Sequence, residues 1–244
     1  MRVAVISDIH GNWHALDAVL HALGEERPDA VWCLGDVVGY GPRPNECCGA
    51  VAERADHGLC GNHDLGVLGE IDLRSFTDDA ATSAAWTQRV LSEDARLYLA
   101  SLEPSAEVPN AGAALYHASP LDPVWEYVLS EETARAALAA TSAPLVLVGH
   151  SHVPLAISQN GGAVQGELAP GGTEIELTER RWLLNPGSVG QPRDGDPRAA
   201  YLLLDLETRF ASFRRVAYSI ADTQRELREC GLPEALAARL EHGV

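Results

Sequence analysis

The chain has 244 residues, 46% of them apolar and 22% charged, an ordinary composition for a soluble protein and long enough to bury about 70% or more of its unfolded surface without disulfide staples. The formal net charge of −17 repels phosphate backbones, which weighs against nucleic acid as a partner and means that any phosphate chemistry must import its positive charge. No apolar run approaches the roughly 18 residues of a membrane span.

Met1-Arg2 leads straight into Val3-Ala4-Val5-Ile6 and then Asp8, not into the apolar core of a secretory leader, so a cytoplasmic setting is expected. Residues 2–7 read as a strand, 13–23 as a helix, 30–34 as a strand, 45–55 as a helix and 58–60 as a short strand. This alternation predicts a largely parallel, buried sheet with helices on its faces. Five cysteines without a Cys-x-x-Cys argue against an oxidised framework; Cys33 and Cys60 read as buried thiols and Cys47-Cys48 as part of a helix face.

Residues 65–112 hold two expected helices, 78–90 and 93–102, and no candidate ligand. They are expected either to form a helical flap beside the site or to cover one sheet face. A strand over 114–117, a helix over 131–140 and a strand over 145–149 follow. Beyond His152, Asn160-Gly161 and Pro170-Gly171-Gly172 are turn signals between alternating runs, which predicts antiparallel or mixed pairing through strands at 200–206 and 212–217. Helices over 219–230 and 234–242 close the chain. With no linker, repeat or low-complexity tract, residues 1–244 read as one domain.

Chemistry-bearing residues fall where these strands end, the position at which open α/β sheets bind ligands. Asp8 and His10 are two apart on what is expected to be extended chain, so both can face one cation. Asp36 follows Gly35, and its carboxylate can bridge two metals where a histidine nitrogen cannot. Asn62 offers a neutral carbonyl oxygen to a borderline-hard ion. His63 is expected to act as proton donor, oriented and kept protonated by Asp64. His117 ends its strand, and His150 and His152 repeat the two-residue spacing after Gly149. The His10-Gly-Asn-Trp-His14 run has the spacing of a zinc-protease helix but lacks the glutamate, so that motif is rejected. Arg193, in a Gly/Pro-rich loop, can fork onto a substrate phosphate, unless Asp194 or Asp196 pairs with it. Asn12 can border the same phosphate or cap the following helix. Asn185-Pro-Gly reads as a turn.

The ordered set Asp8-x-His10, Gly35-Asp36, Gly61-Asn62-His63-Asp64, His117 and Gly149-His150-x-His152 resembles the calcineurin-like metallophosphoesterase superfamily. Asn185-Pro186-Gly187-Ser188-Val189-Gly190-Gln191-Pro192-Arg193 extends the similarity toward its small bacterial phosphodiesterase-like branch. Ala118 departs from it, because that branch usually carries glycine after the fourth-motif histidine. The resemblance implies a four-layer αββα sandwich of two mixed sheets flanked by helices, an α/β fold. It also implies two divalent metal ions, one held by Asp8, His10, Asp36 and His152 and the other by Asp36, Asn62, His117 and His150. Nitrogen and oxygen ligands without thiolate favour Mn, Fe or Zn, with Co and Ni also suited.

Two divalent cations minus two aspartates leave a cationic pocket in an anionic protein, suited to attack on phosphorus by a metal-bridging hydroxide with His63 protonating the departing oxygen. The expected activity is hydrolysis of a small phosphate ester, first a phosphodiester. Alternatives on the same site are a dinucleoside polyphosphate hydrolase or a phosphoprotein phosphatase, and from other classes a non-catalytic metal-binding interaction module or a nuclease. A homo-oligomer is an open option.

Overall fold

In the computed structural model, which describes residues 1–244, the first strand, β1 (Arg2–Ile6), is buried from Val3 onward. Neighbouring side chains of a strand point to opposite sides. Val3 and Val5 therefore enter one apolar cluster with Trp32, Leu34, Leu115 and Leu147, while Ala4 and Ile6 enter another with Leu16, Val19 and Val51. A strand of this kind lies between two packed layers, and the rest of the chain supplies them.

The first half continues with α1 (Trp13–Glu26), β2 (Ala30–Cys33), α2 (Pro44–Arg54), β3 (His57–Gly58), α3 (Asn62–Leu68), α4 (Asp78–Val90), α5 (Glu93–Ala100), β4 (Ser105–Val108) and β5 (Ala113–Tyr116). The second half holds α6 (Glu131–Ala140), β6 (Leu145–Val148), β7 (Leu155–Asn160), β8 (Ala163–Leu168), β9 (Glu174–Glu176), β10 (Arg181–Asn185), β11 (Ala199–Asp205), β12 (Phe210–Val216), α7 (Ile220–Glu229) and α8 (Glu234–Ala238). These strands make two six-stranded sheets, ordered β3-β2-β1-β11-β12-β9 and β4-β5-β6-β10-β7-β8. Both are mixed. β1 pairs parallel with β2 and antiparallel with β11, and β10 pairs parallel with β6 and antiparallel with β7.

Three apolar clusters mark the layers. The first joins α1, α2, α4 and α5 to the outer face of the first sheet, through residues such as Leu16, Val51, Ala84 and Leu99. The second lies between the sheets, with Val5, Trp32 and Leu202 against Leu115, Leu147 and Leu184. In the third, Ala134, Ala137 and Leu138 of α6 cover Ala114, Val146 and Leu183 on the second sheet. Each fully buried Leu contributes about 1.5–3 kcal/mol, so the sandwich depends on all three seams. The helix–sheet–sheet–helix order is the αββα sandwich expected from the resemblance.

Several boundaries differ from the sequence reading. The strand expected over 58–60 is reduced to β3 plus an isolated bridge from Leu59 to Glu103. α3 was not expected and starts within the Gly61-Asn62-His63-Asp64 motif, and β4 was not expected either. Within 65–112, α4 and α5 contribute Ala84, Ala95 and Leu99 to the core, while Phe76, ahead of α4, sits with its ring 5.1 Å from that of His63.

Candidate metal centre

Asp8 and His10 follow β1, Asp36 follows β2, Asn62 opens α3, His117 follows β5, and His150 and His152 follow β6. All seven expected ligands meet at one edge shared by both sheets, and each is at most 3% exposed. Backbone stitching fixes the loops: Asp8 N donates to Gly35 O at 3.0 Å and His10 N to Asp36 O at 2.9 Å. A Cβ at Gly61 would collide with the Asp36 carboxylate, which explains glycine there.

One expectation is corrected in its cause. Asp8 and His10 do converge, but not on extended chain: their φ angles are 54° and 52°, and Asp36, His150 and His152 take 52°, 62° and 60°. Left-handed backbone at a non-glycine residue costs on the order of 1–3 kcal/mol, and such strain gathers at functional sites where the surroundings enforce it. Five strained residues with ligand side chains at one sheet edge are such a gathering.

The ring orientations are set from behind. The Nδ1 atoms of His10, His117 and His152 donate to the carbonyls of Val38, Leu34 and Gln191 at 3.2, 2.9 and 2.6 Å. Each ring then presents a bare Nε2 to the centre, the arrangement by which outer partners prepare metal-binding histidines. The carboxylates are divided likewise. Asp8 Oδ2 accepts from His150 N at 3.1 Å and Asp36 Oδ1 from His63 N at 2.9 Å, leaving Asp8 Oδ1 and Asp36 Oδ2 buried without a hydrogen-bond partner.

Those free atoms face one another. His10 Nε2 lies 3.0 Å from His152 Nε2, His152 Nε2 is 3.4 Å from Asp8 Oδ1, and Asp36 Oδ2 is 3.6 Å from His10 Nε2 and 3.5 Å from His117 Nε2. Asn62 Oδ1 is 3.3 Å from His117 Nε2, and His150 Nε2 is buried without a partner. Lone pairs turned on lone pairs in a buried space are unfavourable unless a cation lies among them. The donor set fits two. Asp8, His10 and His152 form one cluster, and Asp36, His117 and His150 another, with ligand atoms within 4.8 Å of one another in each. Mixed N/O donors with no sulfur suit borderline divalent ions.

Electrostatics agree with that reading. Burial raises the Asp8 carboxyl to about 7; burial, then the Asp64 and Asp8 carboxylates, raise Asp36. Burial also holds His10, His117 and His152 well below the usual histidine range. Such a pocket resists carboxylate charge until cations compensate it.

Asn185-Pro-Gly, read from sequence as a turn within the run that extends the resemblance, proves with Ser188 to be a clamp on the site loops. Asn185 Oδ1 accepts from Gly187 N at 2.8 Å, while Nδ2 donates to Gly149 O at 2.7 Å and Ser151 Oγ at 3.0 Å, holding the loop that carries His150 and His152. Ser188 Oγ donates to Asp8 O at 2.7 Å. No spacing signal announces these roles, because the loop atoms they hold, Gly149 O, Ser151 Oγ and Asp8 O, are distant in sequence.

Asp64 and Asn12 are corrected. Asp64 makes no ion pair with His63; its oxygens accept from Val37 N, Val38 N and Gly61 N at 3.2, 2.9 and 2.9 Å, joining the loop after β2 to the start of α3. Adjacent residues on a helix point in different directions, so the expected orienting contact cannot form. His63 keeps a buried, partnerless Nδ1 and falls to about 3, through burial first and then Arg193 and His150. Its ring still reaches the centre's edge, sharing a cluster with His10 and Asp36. Asn12 has no polar group to spare for substrate: Oδ1 accepts from Ala15 N and Thr223 Oγ1, and Nδ2 donates to Gly190 O and Tyr218 Oη. It is the cap of α1.

Arg193 is free of the acids beside it, because Asp194 pairs with Arg215 and Asp196 with Arg198. Its Nη2 donates to Gln191 Oε1 at 3.0 Å, its guanidinium carbon lies 6.0 Å from the Tyr40 ring centre, and its charge depresses His10, His63 and His152.

A family model described as a calcineurin-like phosphoesterase superfamily domain matches residues 1–209. A metallophosphoesterase of Sphaerobacter thermophilus is 40% identical, with a TM-score of 0.91 over 100% of this chain and 99% of that one. An uncharacterized protein of Methanocaldococcus jannaschii is 37% identical over 242 residues, 98% of this chain and 96% of the other. A symmetrical bis(5'-nucleosyl)-tetraphosphatase of Psychromonas ingrahamii is 35% identical over 71 residues, covering 28% of this chain and 26% of its own length.

Proposed function

Because the chain belongs to the calcineurin-like phosphoesterase superfamily, we propose that it hydrolyses a small phosphate ester, a phosphodiester in the first instance, on two divalent transition-metal ions. The observation that carries this reading is Asp36 Oδ2, partnerless and buried between His10 Nε2 and His117 Nε2. Asp8, His10, Asp36 and His152 would hold one ion, and Asp36, Asn62, His117 and His150 the other, with Mn, Fe or Zn matching the donors. Asp36 would offer Oδ2 to the ions, since Oδ1 is engaged by His63 N. When bound, the two ions supply Lewis-acid polarisation of a phosphoryl oxygen and a lowered pKa for water.

The chain's own residues do the rest. Arg193 places its guanidinium against a phosphoryl oxygen, a charge-assisted fork. His63 is neutral in the free site, through burial first and then the charge of Arg193; the anionic ester offsets that charge and favours uptake of a proton from solvent, and the imidazolium gives this proton to the departing oxygen and returns to the neutral ring. Asp64 fixes the start of α3 and so positions His63 without contacting its ring. Residues 1–244 act as one domain, and its 65–112 segment borders the site through Phe76. No helix is long and apolar enough to cross a membrane, and all five cysteines are free, which suits a reducing cytoplasm.

A second reading is hydrolysis of a dinucleoside polyphosphate, favoured by the 71-residue likeness to the tetraphosphatase. A non-catalytic module is disfavoured because every ligand position and His63 are filled. The test is turnover of bis-p-nitrophenyl phosphate and of its monoester by Mn-loaded protein, with His63→Ala as control. Turnover lost in the variant with metal content kept supports the reading; a wild-type protein that binds metal and cleaves no phosphoester overturns it.

A further inference from the structure

The loop between β5 and α6 starts at His117, and its exposed rings stand at the mouth of the centre. Tyr127, 45% exposed, stacks on His150 with centroids 4.1 Å apart and planes at 15°. Trp125, 36% exposed, lies 6.5 Å from His150 and 5.3 Å from Phe76, which in turn contacts His63. The two residues therefore extend the line of site histidines out toward solvent.

This loop is rigidly framed. Ala118 N donates to Pro123 O and Ser119 N to Asp122 O. The buried Ser119 Oγ accepts from Leu121 N and Asp122 N and bonds to Glu126. Asp122 Oδ1 accepts from Val124 N and Trp125 N at 3.1 Å each. Such a frame holds Trp125 and Tyr127 in place before anything binds, which lowers the entropic cost of stacking.

We infer that Trp125 and Tyr127 form a stacking platform for a flat aromatic group, a nucleobase, attached to the phosphate ester. The inference rests on the phosphoesterase reading, because it assumes that the phosphate sits at the histidine cluster beside the rings. Aromatic faces accept every base and give little sequence preference.

Calorimetric titration of Mn-loaded protein with AMP and with ribose 5-phosphate isolates the base. AMP is expected to bind about tenfold tighter or more and to quench tryptophan fluorescence. Trp125→Leu combined with Tyr127→Leu should bring the two affinities together, while Trp125→Tyr should retain the difference. Equal affinities in the wild type overturn the inference, and if bis-p-nitrophenyl phosphate is still hydrolysed the phosphoesterase reading survives it. Discrimination without any turnover is the reverse case, in which the platform stands and that reading fails. A concentration-dependent dimer that is abolished by the double variant, with equal affinities for the two ligands, assigns the rings to a second copy of the chain and overturns the platform.

Discussion

His10 Nε2 and His152 Nε2 lie 3.0 Å apart, although the Nδ1 of each ring is already committed to a backbone carbonyl. Two bare nitrogens at that distance repel, and the fold holds them there through left-handed backbone at both residues. The arrangement stores unfavourable energy that a shared cation would relieve.

Asp36→Asn should retain the fold, since an amide oxygen can still accept from His63 N, and should lose one of two bound metal ions. Loss of an outer partner costs about 10–100-fold in metal affinity or activity; loss of the shared ligand itself should exceed that. Elemental analysis beside steady-state kinetics checks both parts.

Asp64 should act through structure. Asp64→Ala leaves three buried backbone donors without their acceptor, at about 1–3 kcal/mol for each, so chemical denaturation should show a loss of several kcal/mol. Asp64→Asn should leave in place the limb of the pH profile that His63→Ala abolishes, because the carboxylate does not touch the His63 ring, while the Asp36 carboxyl, which Asp64 helps to raise, should fall. Displacement of the His63-dependent limb by one pH unit or more in this variant would restore the orienting role.

Asn185→Ala removes the ties to Gly149 O and Ser151 Oγ. Metal affinity should fall by about 10–100-fold, with Michaelis constants changed less than metal dissociation constants. Titration with a metal-competing indicator dye measures this directly.

The pH dependence has a defined sign. His10, His117 and His152 have native pKa values well below the ordinary 6.5, so the unfolded chain binds their protons first and stability falls as pH drops below about 6.5. Asp8, at about 7, and Asp64, at about 6, are raised and oppose this: the native state keeps protons that the unfolded chain releases, a contribution present at low pH and lost as pH rises through those values. Cations require Asp8 ionised, which removes its opposing share. Melting temperatures should therefore fall more steeply between about pH 7 and pH 5 with metal than with chelator. Parallel slopes would show that these titrating groups hold no cation.

Much of this was legible in the sequence because ligand residues follow apolar runs, and apolar runs of that length make buried strands. The pairing of Asp8 with His10 and of His150 with His152 was found by spacing, yet their convergence has a different cause, since positive φ at a non-glycine residue has no sequence signature. Asp64 was misassigned because α3 begins inside its motif, where a short polar run gives no helical period. Asn12 shows the opposite lesson: its helix-capping role was visible in sequence, but the contacts to Thr223 and Gly190 that use up its remaining polar capacity come from more than 170 residues away. Asn185 and Ser188 were unreadable for the same reason.

The most direct test of the central claim is anomalous diffraction from crystals of the protein loaded with manganese. Two peaks should appear about 3.5–4 Å apart, both within bonding distance of Asp36 Oδ2, one beside His10 and His152 and the other beside His117 and His150. A single peak, or none among these side chains at saturating metal, would contradict the account.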